Sequence, residues 1–217
     1  MLPAIGNEAI GYGLYSYAIL TTPSERNTKF LVEVIKSIPG IKEAAADLNR
    51  LNIFYIPIQE EQQPQFVKEL RAKPANFTVL ADHFGTSYYD FRMARAILDH
   101  LCGLPPDTMK ALCRTDLSRG PYIFTYATPA SRLNAVPPPY LFVDLSKVDP
   151  RAFGEVLSAF REQVKRDDVT DRARIDTLRL KILQIALTAS DWVEPIENGV
   201  QHLVSEIVHP AAAGPDK

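Results

Sequence analysis

The chain has 217 residues, of which 46% are hydrophobic and 23% are charged, and its net charge at pH 7 is −2. These values are typical of a globular protein that needs neither a metal ion nor a disulfide framework to fold. A near-neutral chain lacks the basic footprint of nucleic-acid-binding proteins, so we expect no nucleic acid partner. No apolar run approaches the roughly 20 residues that cross a bilayer, and no membrane span is predicted.

The N-terminal residues indicate a cellular compartment, and the compartment sets the expected redox state of the two cysteines. The first basic residue is Arg26, and Glu8 interrupts the start, so the basic and apolar regions of a secretory signal are missing. We therefore predict a cytoplasmic protein, exported only if an upstream signal has been removed. In the cytoplasm Cys102 and Cys113 are expected to be free thiols, and a bridge between them is expected only after export.

The first part of the chain alternates strands and helices. Thr22 is a candidate helix cap and Pro23 suits the first helical position, while Pro39 and Gly40 end the helix. Pro57 removes one backbone donor, which favours a strand end or an edge position. In chain order we predict a strand at 12–20, helices at 22–38 and 41–50, a strand at 53–58, and a helix at 64–72.

The rest of the chain adds three strand candidates and ends in helices. We predict strands at 77–82, 122–127 and 140–145, a helix that follows a Ser87/Asp90 capping pair, and helices at 106–114 and 149–164. Twelve residues link the last two strands, too few for a helical crossover, so these strands should pair antiparallel. From Asp171 the apolar residues cover more than one helical face, which predicts burial on two sides. A final amphipathic helix is expected at 196–208.

This order predicts an α/β fold: a mixed sheet of about five strands flanked by helices, plus a C-terminal helical segment. Residues 11–166 would form the sheet domain, with the helices at 171–208 packed on it. Without the strand at 77–82 and the helix before it, the order is β-α-β-α-β-β-α, that of a thioredoxin-like fold. This analogy of order carries no function. Redox cysteines open the first long helix in that fold, whereas Thr21–Ser24 contain none.

The strongest candidate site is the segment Asp82–Ser87, between a predicted strand and a predicted helix. Ligands of open α/β sheets gather at the carboxyl ends of strands, and a helix N-terminus offers N–H groups to an anion. His83 would act as acid, base or ligand, with Asp82 or Ser87 beside it. Gly85 and Thr86 would contact the ligand. The alternative is a plain turn in which Gly85 permits the bend and Ser87 caps the helix.

Other chemistry is weakly indicated. Cys102 could pair with His100 or His83 as a nucleophile, but cysteines among Leu, Met and Ala are usually buried thiols. His202 and His209 lie seven residues apart without matched acids, so neither a metal site nor a cofactor is expected. The acidic cluster at 167–171 favours a solvated link between helices.

Tyrosines recur in the predicted strands and suggest an aromatic layer. Tyr15 and Tyr17 are the candidate ligand-binding residues of this layer. The alternative is core packing with the hydroxyl groups at the rim. The tyrosines concerned are Tyr12, Tyr15, Tyr17, Tyr55, Tyr122, Tyr126 and Tyr140.

Two functions remain open on the sequence alone. The first is a non-enzymatic module that binds a protein partner or a small-molecule ligand through the sheet face or the C-terminal helices, which could also join two copies as a homo-oligomer. The second is a hydrolase or transferase with its site at Asp82–Ser87. The absence of catalytic spacing motifs favours the first.

Overall fold

The computed structural model describes residues 8–37, 52–72, 83–105, 120–136, 139–146, 148–162, 170–189 and 208–209. These residues form a mixed α/β fold with four main strands, a two-residue edge strand and five α-helices. The strands are β1 (Leu14–Ile19), β2 (Asn52–Tyr55), β3 (Tyr122–Tyr126), β4 (Leu141–Asp144) and β5 (Val208–His209). The helices are α1 (Glu25–Ser37), α2 (Gln63–Arg71), α3 (Phe91–Gly103), α4 (Phe153–Glu162) and α5 (Asp171–Ala189). In the described part of the chain, no helix is long and apolar enough to cross a bilayer.

The sheet has the strand order β2-β1-β3-β4-β5. Strands β1 and β2 are parallel, with Tyr17 opposite Tyr55, and β1 pairs antiparallel with β3, with Tyr17 opposite Phe124. Strands β3 and β4 are also antiparallel. The mixed sheet and the antiparallel pairing of these two strands are therefore confirmed.

The edge strand β5 corrects the prediction for the C-terminal segment. Val208 pairs with Val143 and His209 with Phe142, in a position where the sequence predicts the end of a helix. A β-branched residue suits the otherwise open edge of β4, and this long-range pairing outweighs the helical spacing. The predicted strand at 77–82 and the helices predicted at 41–50 and 106–114 lie outside the described residues, so the predicted count of about five strands is not established.

Helices α1 and α3 start later than the sequence predicts. Ser24 caps α1, since its Oγ accepts a hydrogen bond from the Asn27 amide at 3.2 Å. Thr22 is not the cap, because α1 begins at Glu25 and Thr22 lies two residues before Ser24. Asp90 alone caps α3, where Oδ1 accepts from the Arg92 and Met93 amides, both at 2.9 Å. The expected capping role of Ser87 is therefore wrong, because Ser87 belongs to the preceding turn.

The two faces of the sheet differ in character. One face is aromatic, because Tyr15 and Tyr17 of β1 lie beside Tyr55 of β2 and Phe124 of β3. On the other face a buried hydrogen bond of 2.8 Å joins the hydroxyls of Ser16 and Thr125.

Helices α1 and α4 cover the face that carries Ser16. Phe54 of β2 contacts Phe160 of α4 with ring centroids 5.8 Å apart, and Phe30 of α1 contacts Phe153 of α4 at 5.5 Å. Helix α3 lies on the aromatic side, where His100 Nε2 is 3.1 Å from the carbonyl oxygen of Ala130.

Helix α5 is buried on one side only. Ile175, Leu178 and Ile182 are at most 1% exposed, whereas Leu180 is 67% exposed. The prediction of burial on two sides is wrong at Leu180, because a residue two positions after Leu178 lies roughly 200° around the helix from it.

Candidate functional site

The turn Phe84–Tyr88 is a single π-helical turn at the carboxyl end of β2. The chain that continues β2 meets it through an isolated bridge between Ile58 and Tyr89 and through the Gln59 amide, which donates to the Tyr88 carbonyl at 2.9 Å. The Tyr89 amide donates back to the Phe84 carbonyl at 2.8 Å and closes the turn. These bonds fix the turn against the sheet.

Tyr89 ties the same turn to the carboxyl end of β1. Its buried hydroxyl donates to the Ala18 carbonyl at 3.1 Å and accepts from the Leu20 amide at 2.7 Å. Burial raises the pKa of Tyr89, so this hydroxyl stays protonated. The turn therefore lies at the carboxyl ends of both parallel strands, where open α/β sheets bind their ligands.

His83 lies directly before this turn, and its side chain is half exposed. Its Nδ1 lies 3.7 Å from Glu69 Oε2, and its ring centroid lies 4.7 Å from that of Tyr88. Asp82, the other predicted acid, lies outside the described residues. Ser87 lies in the turn, and within the described residues no hydrogen bond joins it to His83. The structure therefore brings His83 to Glu69, which the sequence did not suggest.

Glu69 of α2 organises the polar part of the site. Its Oε1 accepts hydrogen bonds from the Tyr88 hydroxyl at 2.7 Å and from Gln65 Nε2 at 2.8 Å. These bonds, with a smaller effect from His83, hold the pKa of Glu69 below its ordinary value. Burial and the neighbouring carboxylate raise the pKa of Tyr88 to about 12. At neutral pH the cluster therefore holds an ionised Glu69 and a protonated Tyr88.

An aromatic cluster packs against the buried side of the turn. The rings of Phe66 on α2 and Phe84 lie 4.6 Å apart, and Phe66 also contacts Tyr88 at 5.9 Å. Phe66 and Phe84 are fully buried. This packing is why α2 and the turn meet, and it gives His83 a rigid base. Gly85 and Thr86, the predicted ligand contacts, lie in the middle of the turn.

The turn does not line either of two surface grooves found among the described residues. The larger, of about 810 Å³, lies between α1 and the segment 149–151, and the smaller, of about 380 Å³, lies between α4 and α5. Charges in the larger groove are paired, Lys29 with Glu25 and Arg151 with Asp149, both at 2.8 Å. In the same described residues, no group of His, Cys, Asp and Glu is placed to hold a metal ion.

Tyr15 and Tyr17, the predicted ligand-binding tyrosines, are buried at 2% and 0% exposure. The Tyr12 amide donates to the Tyr15 hydroxyl at 3.2 Å, and the Ala130 amide donates to the Tyr17 hydroxyl at 2.7 Å. Tyr17 in turn donates to Glu8 at 3.3 Å. Glu8 and Tyr12 contact the two hydroxyl groups from the N-terminal side of the chain. Both tyrosines are therefore core residues whose hydroxyl groups lie at the edge of the core.

The structure corrects the chemistry that the sequence predicts for Cys102. Cys102 is disulfide-bonded, so the expectation of a free thiol is wrong at this position, and no thiolate is available to His100 or His83. That expectation rested on the predicted compartment instead of on geometry. Cys113, the other cysteine, and His202 lie outside the described residues. His209 lies in β5, so its helical spacing from His202 does not apply.

Comparisons with protein-family models, with curated proteins and with solved structures found no match to this chain. The function is therefore inferred from the geometry of the site.

Proposed function

We propose that this chain is a non-enzymatic binding module whose contact surface is the turn Phe84–Tyr88 with His83 and Glu69. The observation that carries the proposal is the position of His83, which projects half exposed from a buried aromatic base. A side chain held in this way loses little conformational freedom on binding. Rigid aromatic anchors with a few oriented polar groups are typical of interface hot spots.

A protein partner suits this surface better than a small molecule. Small-molecule sites bury most of the ligand in a concave pocket, whereas His83 lines neither described groove. The surface offers the partner an imidazole and an ionised carboxylate that already has two internal hydrogen bonds. A partner group that donates to Glu69 Oε2 would add a hydrogen bond to the cluster.

A hydrolase or transferase is the second candidate, and one observation favours it. A carboxylate beside an imidazole orients the ring for general base catalysis, and Glu69 lies 3.7 Å from His83 Nδ1. The exposure of His83 argues against this function, because a catalytic site gains much of its electrostatic strength by excluding water. Turnover that depends on His83 would favour the enzyme.

We also propose a thioredoxin-like order for β1-α1-β2-α3-β3-β4-α4, with α2 in an insertion. Support comes from the parallel β1/β2 pair joined through α1 and from the antiparallel β3/β4 pair. Thr21–Ser24 at the start of α1 contain no cysteine, so this order implies no disulfide exchange there. The homo-oligomer through the C-terminal helices stays a prediction, with Leu180 as its exposed apolar side chain.

The disulfide bond of Cys102 bears on the cellular compartment that we propose for this protein. Disulfides persist in oxidising compartments and are rare in the cytosol, so the bonded Cys102 favours an oxidising compartment over the cytoplasm that the sequence suggested.

Affinity capture with matched variants tests the binding function. Wild-type protein, His83→Ala and the control Glu60→Gln are immobilised, and the proteins retained from a lysate of the source cells are quantified by mass spectrometry. We expect a protein that the wild type and Glu60→Gln retain equally and that His83→Ala loses at least tenfold. Equal retention by all three variants would reject the turn as the contact surface.

A further inference from the structure

We propose that the hydroxyl groups of Tyr15, Tyr17 and Tyr55, together with Ser131, bind a segment of a partner protein that carries an acidic residue, and that residues 8–12 occupy this site in the structure. These four residues form the rim site. It is separate from the turn that carries His83.

Two tyrosines of the rim site contact backbone groups of the segment 8–12. The Ala9 amide donates to the Tyr55 hydroxyl at 2.8 Å, and the same hydroxyl lies 3.4 Å from the Ala9 carbonyl, to which it donates. The Tyr12 amide donates to the Tyr15 hydroxyl at 3.2 Å. Because these contacts use only main-chain atoms, they fit any segment with the same backbone path.

A carboxylate pocket fixes the register of the segment. Glu8 Oε2 accepts from the Ser131 hydroxyl at 2.6 Å, and Oε1 accepts from the Ser131 amide at 3.2 Å and from the Tyr17 hydroxyl at 3.3 Å. Three donors on one carboxylate form charge-assisted hydrogen bonds, which are stronger than neutral ones. Burial raises the pKa of Tyr17 and keeps that hydroxyl a donor. The pocket therefore selects an acidic side chain.

The middle of the segment sets a second requirement. Gly11 has φ +94°, a left-handed conformation that glycine adopts without strain. The side chain of Ile10 is 59% exposed, so the rim site does not select the residue at this position. The rim site thus recognises an acidic residue followed three positions later by glycine.

The segment 8–12 is held in a way that permits exchange. Ala9, Ile10 and Gly11 are exposed, so polar contacts at the rim hold residues 8–11, and only Tyr12 packs partly buried against the core. Elements that bury little apolar surface open locally at low free energy. Residues 8–12 belong to the same chain as the rim site and therefore compete with a partner segment at a high effective concentration. A partner segment should bind measurably once the contacts of residues 8–12 are weakened.

Hydrogen exchange at the Ser131 amide tests the proposal in the full-length chain. In the wild type this amide donates to Glu8 and should be protected. In Glu8→Ala we expect exchange at least tenfold faster. A synthetic peptide of residues 6–12 should restore the protection, whereas the same peptide with alanine in place of the glutamate should not. Glu25→Ala removes an exposed glutamate on α1 and should leave the exchange unchanged.

The outcomes separate the possible occupants. If the Ser131 amide stays protected in Glu8→Ala, or if the wild-type peptide fails to restore protection, the proposal is overturned. A wild-type dimer that Glu8→Ala dissociates in light scattering would also overturn it, because the segment would then be exchanged between two copies. Glu8→Met, which keeps the side-chain length but has no oxygen acceptor, gives the same comparison if Glu8→Ala proves unfolded by circular dichroism.

Discussion

The hydroxyl oxygen of Ser131 lies 2.6 Å from a carboxylate oxygen of Glu8, although 123 residues separate the two in the chain. This hydrogen bond joins the N-terminal segment to the link between β3 and β4, above the aromatic face of the sheet. It also places a charged acceptor beside the hydroxyl of Tyr17. Glu8 is therefore part of the folded structure.

A double-mutant cycle measures this contact. We expect Glu8→Ala and Ser131→Ala each to lower the free energy of unfolding by about 1–2 kcal/mol, with a coupling of about 1 kcal/mol, because the bond is charge-assisted and partly buried. The control cycle on the exposed pair Glu25 and Lys29 should give a much smaller coupling than the cycle on Glu8 and Ser131. Urea unfolding of the seven proteins gives both couplings. Strict additivity of Glu8→Ala and Ser131→Ala would show that the contact does not form in solution.

Tyr89→Phe tests the link between the turn and β1. The change removes a hydroxyl that serves both the Ala18 carbonyl and the Leu20 amide in the protein interior. Leaving these two groups without a partner should lower the free energy of unfolding by about 1–3 kcal/mol. Tyr126→Phe is the control, since Tyr126 is partly exposed and its hydroxyl makes no hydrogen bond in the described part of the chain. Equal stability of the two variants in thermal unfolding would contradict the hydrogen bonds of Tyr89.

The disulfide at Cys102 predicts sensitivity to reductant. Reduction, or Cys102→Ser, should lower the free energy of unfolding by about 2–4 kcal/mol. Reductant should leave Cys102→Ser itself unchanged, which controls for other effects of the reagent. Maleimide labelling of the unfolded, unreduced protein should add no mass, because the chain has only two cysteines. Two labels per chain before reduction would show that both thiols are free.

Glu69→Gln should destabilise the protein in a pH-dependent way. Hydrogen bonds from Tyr88 and Gln65 lower the pKa of Glu69 in the folded state from its ordinary 4.5. The stabilisation is therefore fully present above that pH and is lost as the pH falls through the lower, folded-state pKa. At pH 7 we expect a loss of at most about 1 kcal/mol, because the group is partly exposed. Urea unfolding from pH 7 to pH 3 should show the gap to wild type closing, whereas a gap that persists at pH 3 would mean that its charge is not the cause.

The sequence predicted the elements that depend on local pattern. Strand β1 lies within the predicted 12–20, and β3 and β4 lie within 122–127 and 140–145, because aromatic and β-branched runs have strong strand preference. Pattern could not predict β5, since its two residues are a strand only through their pairing with β4.

The candidate site was only partly predictable for the same reason. The glycine and the polar residues between apolar segments pointed to the turn after residue 82. Glu69 was missed because it meets His83 through the packing of Phe66 on Phe84, which involves two separate segments. The spacing of Gln65 and Glu69, four residues apart on a helix, indicated only their mutual contact. The contact between Glu8 and Ser131 has no local signal at all.

Titration of the purified captured partner, followed by calorimetry, tests the binding function most directly. The titration compares the wild type with His83→Ala, Glu69→Gln and the control Glu60→Gln. We predict that His83→Ala raises the Kd at least tenfold, that Glu69→Gln raises it less, and that Glu60→Gln leaves it unchanged. The same Kd for all four proteins, or conversion of the partner by the wild type and not by His83→Ala, would contradict a binding module that acts through this turn.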